Sequence, residues 1–155
     1  MKRRTGIFLL LLPFLMFSCS CKKNNSLGPN PVPYQSVYTV IDITLPQYSD
    51  LQNEGGSVTI PGGNKGIIVV HDFLDNFWAF DRTCPYHINS PCGVVRMSFP
   101  DALYMVCGTY SGKTLNACCN STYNLNGGTV INGPSKYPLK AYQVTQSGTV
   151  LSISN

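Results

Sequence analysis

Two cysteine-bearing segments constrain this chain more than any other feature. The first runs through Cys84, Pro85, Tyr86, His87 and Cys92. The second runs through Asn116, Ala117, Cys118, Cys119, Asn120, Ser121, Thr122 and Tyr123. A third loop carries Gly133, Pro134, Pro138 and Leu139. Strand-like sequence separates the loops, so the pattern is that of a β domain that gathers sulfur at one tip. Two chemistries call for such a gathering: a metal site with thiolate ligands, or a pair of disulfides.

The amino terminus sets the compartment. Lys2, Arg3 and Arg4 precede the apolar stretch Ile7 to Phe17, and Met16, Phe17, Ser18 and Cys19 close it. The stretch is short of the roughly 20 apolar residues that span a bilayer, and it reads as a bacterial lipoprotein signal over residues 1–18. Cleavage before Cys19 and lipidation of that cysteine are expected. They anchor the chain in the cell envelope, on the outer membrane and facing the periplasm, where disulfides persist. Residues 19–33, with Lys22, Lys23, Asn24, Asn25, Gly28, Pro29, Pro31 and Pro33, have too few large apolar side chains for a core and read as a flexible tether. Without the three leader cations, the formal net charge of +4 shrinks to near neutrality. No basic patch points to nucleic acid.

Residues 34–155 read as one all-β domain. Alternating or β-branched runs predict strands at Tyr34 to Leu45, Val58 to Ile60, Gly66 to His71, Phe77 to Phe80, Gly93 to Met97 and Leu103 to Cys107. Short strands at Lys113 to Ala117, Tyr123 to Leu125 and Thr129 to Ile131 surround the second cysteine segment. Gly127 and Gly128 form a hairpin turn there, and Pro138 to Val144 with Thr149 to Ile153 closes the domain. No stretch outside the signal shows helical periodicity. Trp78 and Phe80 share strand parity and belong to the core, and His71 reads as structural. Asp72, Asp75 and Asp81 read as turn residues. Cys107, at a strand end, reads as a buried free thiol.

In this order of loops, Phe80 to Leu139 resembles the Rieske iron-sulfur domain, in a divergent lipid-anchored form with two adjacent cysteines in the second loop. The resemblance implies an antiparallel β-sandwich or barrel base with a small, loop-rich, cluster-binding-type subdomain at one tip, here about residues 82–139. Rieske centres take two thiolates on one iron and two imidazoles on the other. Against that pattern Cys84 falls on a cysteine position and Tyr86 on a histidine position, with His87 one place later. Asn116 falls on the second cysteine position and Cys119 on the second histidine position. One ligand of four stands in register.

Two consequences follow from the resemblance. Some Rieske domains carry a disulfide between the two cluster loops, which implies Cys92–Cys118 here. Cys84 and Cys119 then face the cluster position and are expected to form a second bridge across it. The pairing of Cys84 with Cys118 and Cys92 with Cys119 stands beside this one, since four cysteines allow three connectivities. The competing expectation is a metal site, [2Fe-2S] or zinc, drawn from Cys84, His87, Cys118 and Cys119.

Several activities find no footing. A Rieske oxygenase needs a second iron domain, for which the chain has no room. Gly62 and Gly63 lack the lysine and hydroxyl of a phosphate loop. Ser121 and Ser135 have no legible histidine and carboxylate partners, and no Cys-x-x-Cys opens a helix. The expected function is non-enzymatic: a membrane-tethered, Rieske-like module with degenerate cluster ligands and disulfides at its tip, without a cofactor, acting on an envelope partner. The alternative is an iron-sulfur electron carrier with a non-standard ligand set and a redox partner.

Overall fold

The computed structural model describes residues 27–99 and 102–155; the leader, Cys19 and Cys21 lie outside the described residues. Among the described residues, ten strands build two sheets: β1 (Tyr38–Asp42), β2 (Ser57–Ile60), β3 (Ile67–His71), β4 (Phe77–Asp81), β5 (Val95–Met97), β6 (Met105–Ser111), β7 (Thr114–Tyr123), β8 (Val130–Asn132), β9 (Ala141–Ser147) and β10 (Val150–Ser154). A curled six-stranded sheet has the order β1-β10-β9-β4-β3-β2, and a four-stranded sheet has the order β5-β6-β7-β8. Every pairing is antiparallel, as the alternating patterns predict.

The period of two explains how the sheets meet. On β3, Ile67 and Val69 join Ala79, Tyr142, Leu151 and Ile153 in the core inside the curl. Their neighbours Ile68 and Val70 point to the opposite face and join Phe80, Val95, Met105, Tyr123 and Leu139. All five residues of β3 are therefore buried, which is why this strand reads as a continuous apolar run. Burying such side chains contributes about 1.5–3 kcal/mol each. The second core fastens the small sheet to the back of β3 and β4. Trp78 and Phe80 both pack there, their rings stacked with centroids 6.2 Å apart.

Three local features differ from the sequence reading. Pro46–Gln52 forms a 3₁₀ helix, begun by a proline that needs no amide partner at a first turn and held by the buried Leu51. Its 7 residues, about two turns, are too few to show a helical period. Val32, placed by composition in the tether, is buried, and Lys140 Nζ donates to Pro33 O at 2.9 Å. Residues 114–123, read as two short strands around a loop, form the single strand β7. The pairing of β7 with β6 survives on both sides of the cysteine pair. Val106 is opposite Thr122, and Gly108 is opposite Ala117. Two steps along β6 thus face five along β7, and Cys118 to Ser121 bulge out opposite Cys107.

Candidate functional site

The first cysteine loop leaves β4 and returns through the bridge between Thr83 and Val94. Cys84 N–H donates to Gly93 O at 3.1 Å and Gly93 N–H to Ser90 O at 3.0 Å. Lys65 fixes the loop from outside, its Nζ donating to Ser90 O at 2.6 Å and Gly93 O at 3.1 Å. A side chain on Gly93 would collide with the His87 carbonyl, so only glycine closes this loop. The third loop presses on the β7 bulge. Gly133 sits at φ 101° with no room for a Cβ against Asn120 and Ser121, and Ser135 N–H donates to Ser121 Oγ at 3.0 Å.

Cys92 and Cys118 are joined by a disulfide, with Cα atoms 5.3 Å apart. The bond ties the first loop to the bulge, as the resemblance implies. Ser90 Oγ lies 3.0 Å from Cys92 Sγ. Cys84, Cys107 and Cys119 are thiols. Their sulfurs lie within 4.8 Å of one another, and those of Cys84 and Cys119 are 3.7 Å apart. The expected Cys84–Cys119 bridge is thus replaced by an unbonded contact, well beyond the roughly 2.05 Å of an S–S bond. Cys107 reaches the same space from β6 and makes a third member of the group.

Electrostatics differentiate the three. The Cys84 thiol is lowered to about 5, first by the hydrogen bond from Cys107, then by Tyr123 and the backbone amides of Tyr86 and His87, against the opposing effect of burial. Cys107, the donor to Cys84, is pushed far up by that bond and by burial. Burial likewise raises Tyr123, whose hydroxyl lies 3.5 Å from Cys84 Sγ. Cys84 is the thiolate of the site, held by hydrogen bonds from Cys107 and Tyr123. Cys84 and Cys107 are buried; Cys119 is half-buried and lines a surface cavity of about 240 Å³ with Tyr104, Val106 and Leu115.

Of the residues read as metal candidates, Cys84 and Cys119 belong to the trio. Cys118 is in the disulfide and has no thiolate to offer. His87 is outside the group, its ring edge-on to Tyr86 at 4.8 Å between centroids. Cys107 is the buried free thiol that its strand-end position predicts, and it also joins the group; its parity with the inward-facing Met105 signals the burial, but without the bulge nothing in sequence brings Cys118 and Cys119 opposite it. A Rieske cluster does not fit these residues. The gathered ligand atoms are three sulfurs with no imidazole, whereas the group needs two of each. Tyr86 is exposed, and Asn116 is exposed opposite Thr109.

The carboxylates are structural. Asp72 Oδ1 accepts the amides of Leu74 and Asn76 at 2.9 Å each, and Oδ2 accepts Trp78 Nε1–H at 2.8 Å. Asp81 lies in β4 and not in a turn. It is fully buried and accepts Asn64 N–H, Thr83 N–H and the Tyr142 hydroxyl. His71 stacks on Phe77 and meets Asp75 at 2.9 Å.

No family model matches this chain, and no curated protein matches it. Among solved structures it is similar to the ferredoxin of carbazole 1,9a-dioxygenase from Nocardioides aromaticivorans IC177, at 17% identity and a TM-score of 0.48, over 78% of this chain and 98% of that one.

Proposed function

We propose that this chain is a lipid-tethered, Rieske-like envelope module, non-catalytic, whose tip holds one thiophilic cation in place of a two-iron cluster. The observation that carries this reading is the convergence of Cys84, Cys107 and Cys119 within 4.8 Å. Thiolates bound to one ion at about 2.3 Å stand roughly 3.7–4.0 Å apart, and the Cys84–Cys119 separation of 3.7 Å already meets that. Copper(I) is the favoured ion: it is soft and is satisfied by three sulfurs, whereas structural zinc takes four ligands. Binding exchanges S–H protons for S–Cu bonds, and no electron moves. Lipidation at Cys19 supplies the membrane partner and a periplasm-facing position, supported by the leader pattern, and an envelope protein is the partner in solution.

The second reading, an iron-sulfur electron carrier, draws on the same three thiols. It lacks a fourth ligand, since the disulfide has taken Cys118. The test uses the full chain carrying Cys19→Ser and Cys21→Ser, with Cys92–Cys118 formed, titrated anaerobically with copper(I) against a chromophoric chelator. The expected result is one copper per chain, with affinity at least ten-fold weaker in Cys107→Ser and in the half-buried Cys119→Ser. Unchanged affinity in both variants overturns the proposal. So does protein isolated with two irons and two acid-labile sulfides.

A further inference from the structure

A second concavity lies away from the sulfurs, where the two sheets meet. It has a volume of about 290 Å³ and is lined by Ser57 and Thr59 of β2, Arg82 just after β4, Arg96 of β5, Ser98 just after β5 and Tyr110 of β6, among others. The parity of β2 explains the hydroxyls. Val58 and Ile60 turn into the core inside the curl, which leaves Ser57 and Thr59 on the other face.

Among the described residues, no carboxylate pairs with either of the two arginines that share this space. Among the described residues the one ion pair is His71 with Asp75, at the far end of β3. Arg82 is held by its Nε–H donating to Val95 O at 3.1 Å, which leaves the rest of its guanidinium fork for other acceptors. Arg96 Nε is buried with no hydrogen-bond partner. A buried, unsatisfied polar group is costly, and more so when charged. Burial and the neighbouring Arg96 both act against the charge on Arg82. Two like charges, an orphaned donor and a ring of hydroxyls in one recess are the complement of a bound anion, since guanidinium forks match planar or tetrahedral oxyanions with paired N–H bonds.

We infer that the recess between Arg82 and Arg96 is a binding site for a small oxyanion, of the phosphate or carboxylate class, at the seam of the two sheets. The site is independent of the thiols, and its loss leaves copper(I) binding unchanged.

The experiment follows amide chemical shifts of the full chain during titration with inorganic phosphate and, separately, with benzoate, each at the ionic strength of a sodium chloride reference. Saturable shifts at Ser57, Thr59 and Ser98 are expected with at least one anion, weakened ten-fold or more in Arg82→Gln and in Arg96→Gln. Arg96→Lys, which keeps the charge and loses the fork, is expected to fall between. The arm that saturates at lower concentration identifies the oxyanion class. Shifts that match the chloride reference, or that persist in both glutamine variants, overturn the proposal. Copper(I) binding is measured on the same variants, so that a loss of fold is distinguished from a loss of the site.

Discussion

The β3 and β4 strands end in two differently built places. At one end the Asp72 carboxylate collects three N–H donors and closes the turn without a cross-link. At the other, beyond Asp81, the chain enters a tip held by a disulfide, a lysine and three packed thiols. The difference follows from what each end can bury. The Asp72 turn joins adjacent strands and needs only local bonds. The tip must hold loops far apart in sequence, and a cross-link does this. The first end is therefore sensitive to acid and the second to reductant.

The largest expected effect lies between the two. Phe80 is fully buried in the core that fastens the small sheet to β3 and β4. Phe80→Ala is expected to cost about 3–5 kcal/mol, measured by urea unfolding, and to release the tip from the strand pair. A loss below about 1 kcal/mol, the scale of a surface substitution, would mean that the tip does not depend on this core.

Next is the disulfide. Its two cysteines are 26 residues apart, and closing a loop of that length stabilises by about 3 kcal/mol in the chain-entropy account. Cys92→Ala with Cys118→Ala is expected to accelerate amide hydrogen exchange at residues 84–93 and in the β7 bulge, leaving β9 and β10 protected. Uniform acceleration through both sheets would show that the tip and base unfold as one unit.

The same contrast separates what could be read in the sequence from what could not. The base was legible because the continuous apolar run of β3 and the alternation of β10 are direct imprints of two-sided and one-sided burial. The Cys92–Cys118 bond followed from a resemblance in loop order. The thiol trio did not, because it depends on a bulge that places Cys118 to Ser121 opposite Cys107, and bulges have no fixed residue signature. The arginine recess was equally hidden. Arg82 and Arg96 belong to no motif, and it is the Thr83–Val94 bridge and the pairing of Val95 N–H with Arg82 O at 2.6 Å that bring β5 alongside the end of β4.

Lys65 tests whether the tip relies on sulfur alone. Its ammonium donates to two carbonyls of the first loop, and charge-assisted bonds contribute about 1.5–3 kcal/mol each at most. Lys65→Met keeps the aliphatic stem and removes the donors. A loss of about 2 kcal/mol is expected by thermal unfolding at neutral pH, with faster reduction of Cys92–Cys118 by dithiothreitol. An unchanged reduction rate would assign the shape of the loop to the disulfide.

The smallest effect is at the opposite end, and its signature is in its pH dependence. Burial pushes the Asp72 carboxyl upward, but hydrogen bonds from Asn76, Trp78 and Leu74 outweigh it and hold the group below its usual range. A carboxyl whose folded pKa is depressed binds fewer protons in the native state than in the unfolded one. Its contribution is fully present above the unfolded value of about 3.9 and is lost as pH falls through the folded value. Asp72→Asn retains an oxygen for the backbone amides but loses the charge and cannot accept from Trp78 with its amide nitrogen. The expected cost is about 1 kcal/mol at pH 7, shrinking toward zero in acid, so the variant's stability falls less steeply than the parent's below about pH 4. Reductant should leave that difference unchanged, because no sulfur bears on this turn. If the two proteins lose stability in parallel as the pH falls, the acid sensitivity belongs elsewhere, and Asp81, which holds three donors beside the tip, becomes the carboxylate to substitute next.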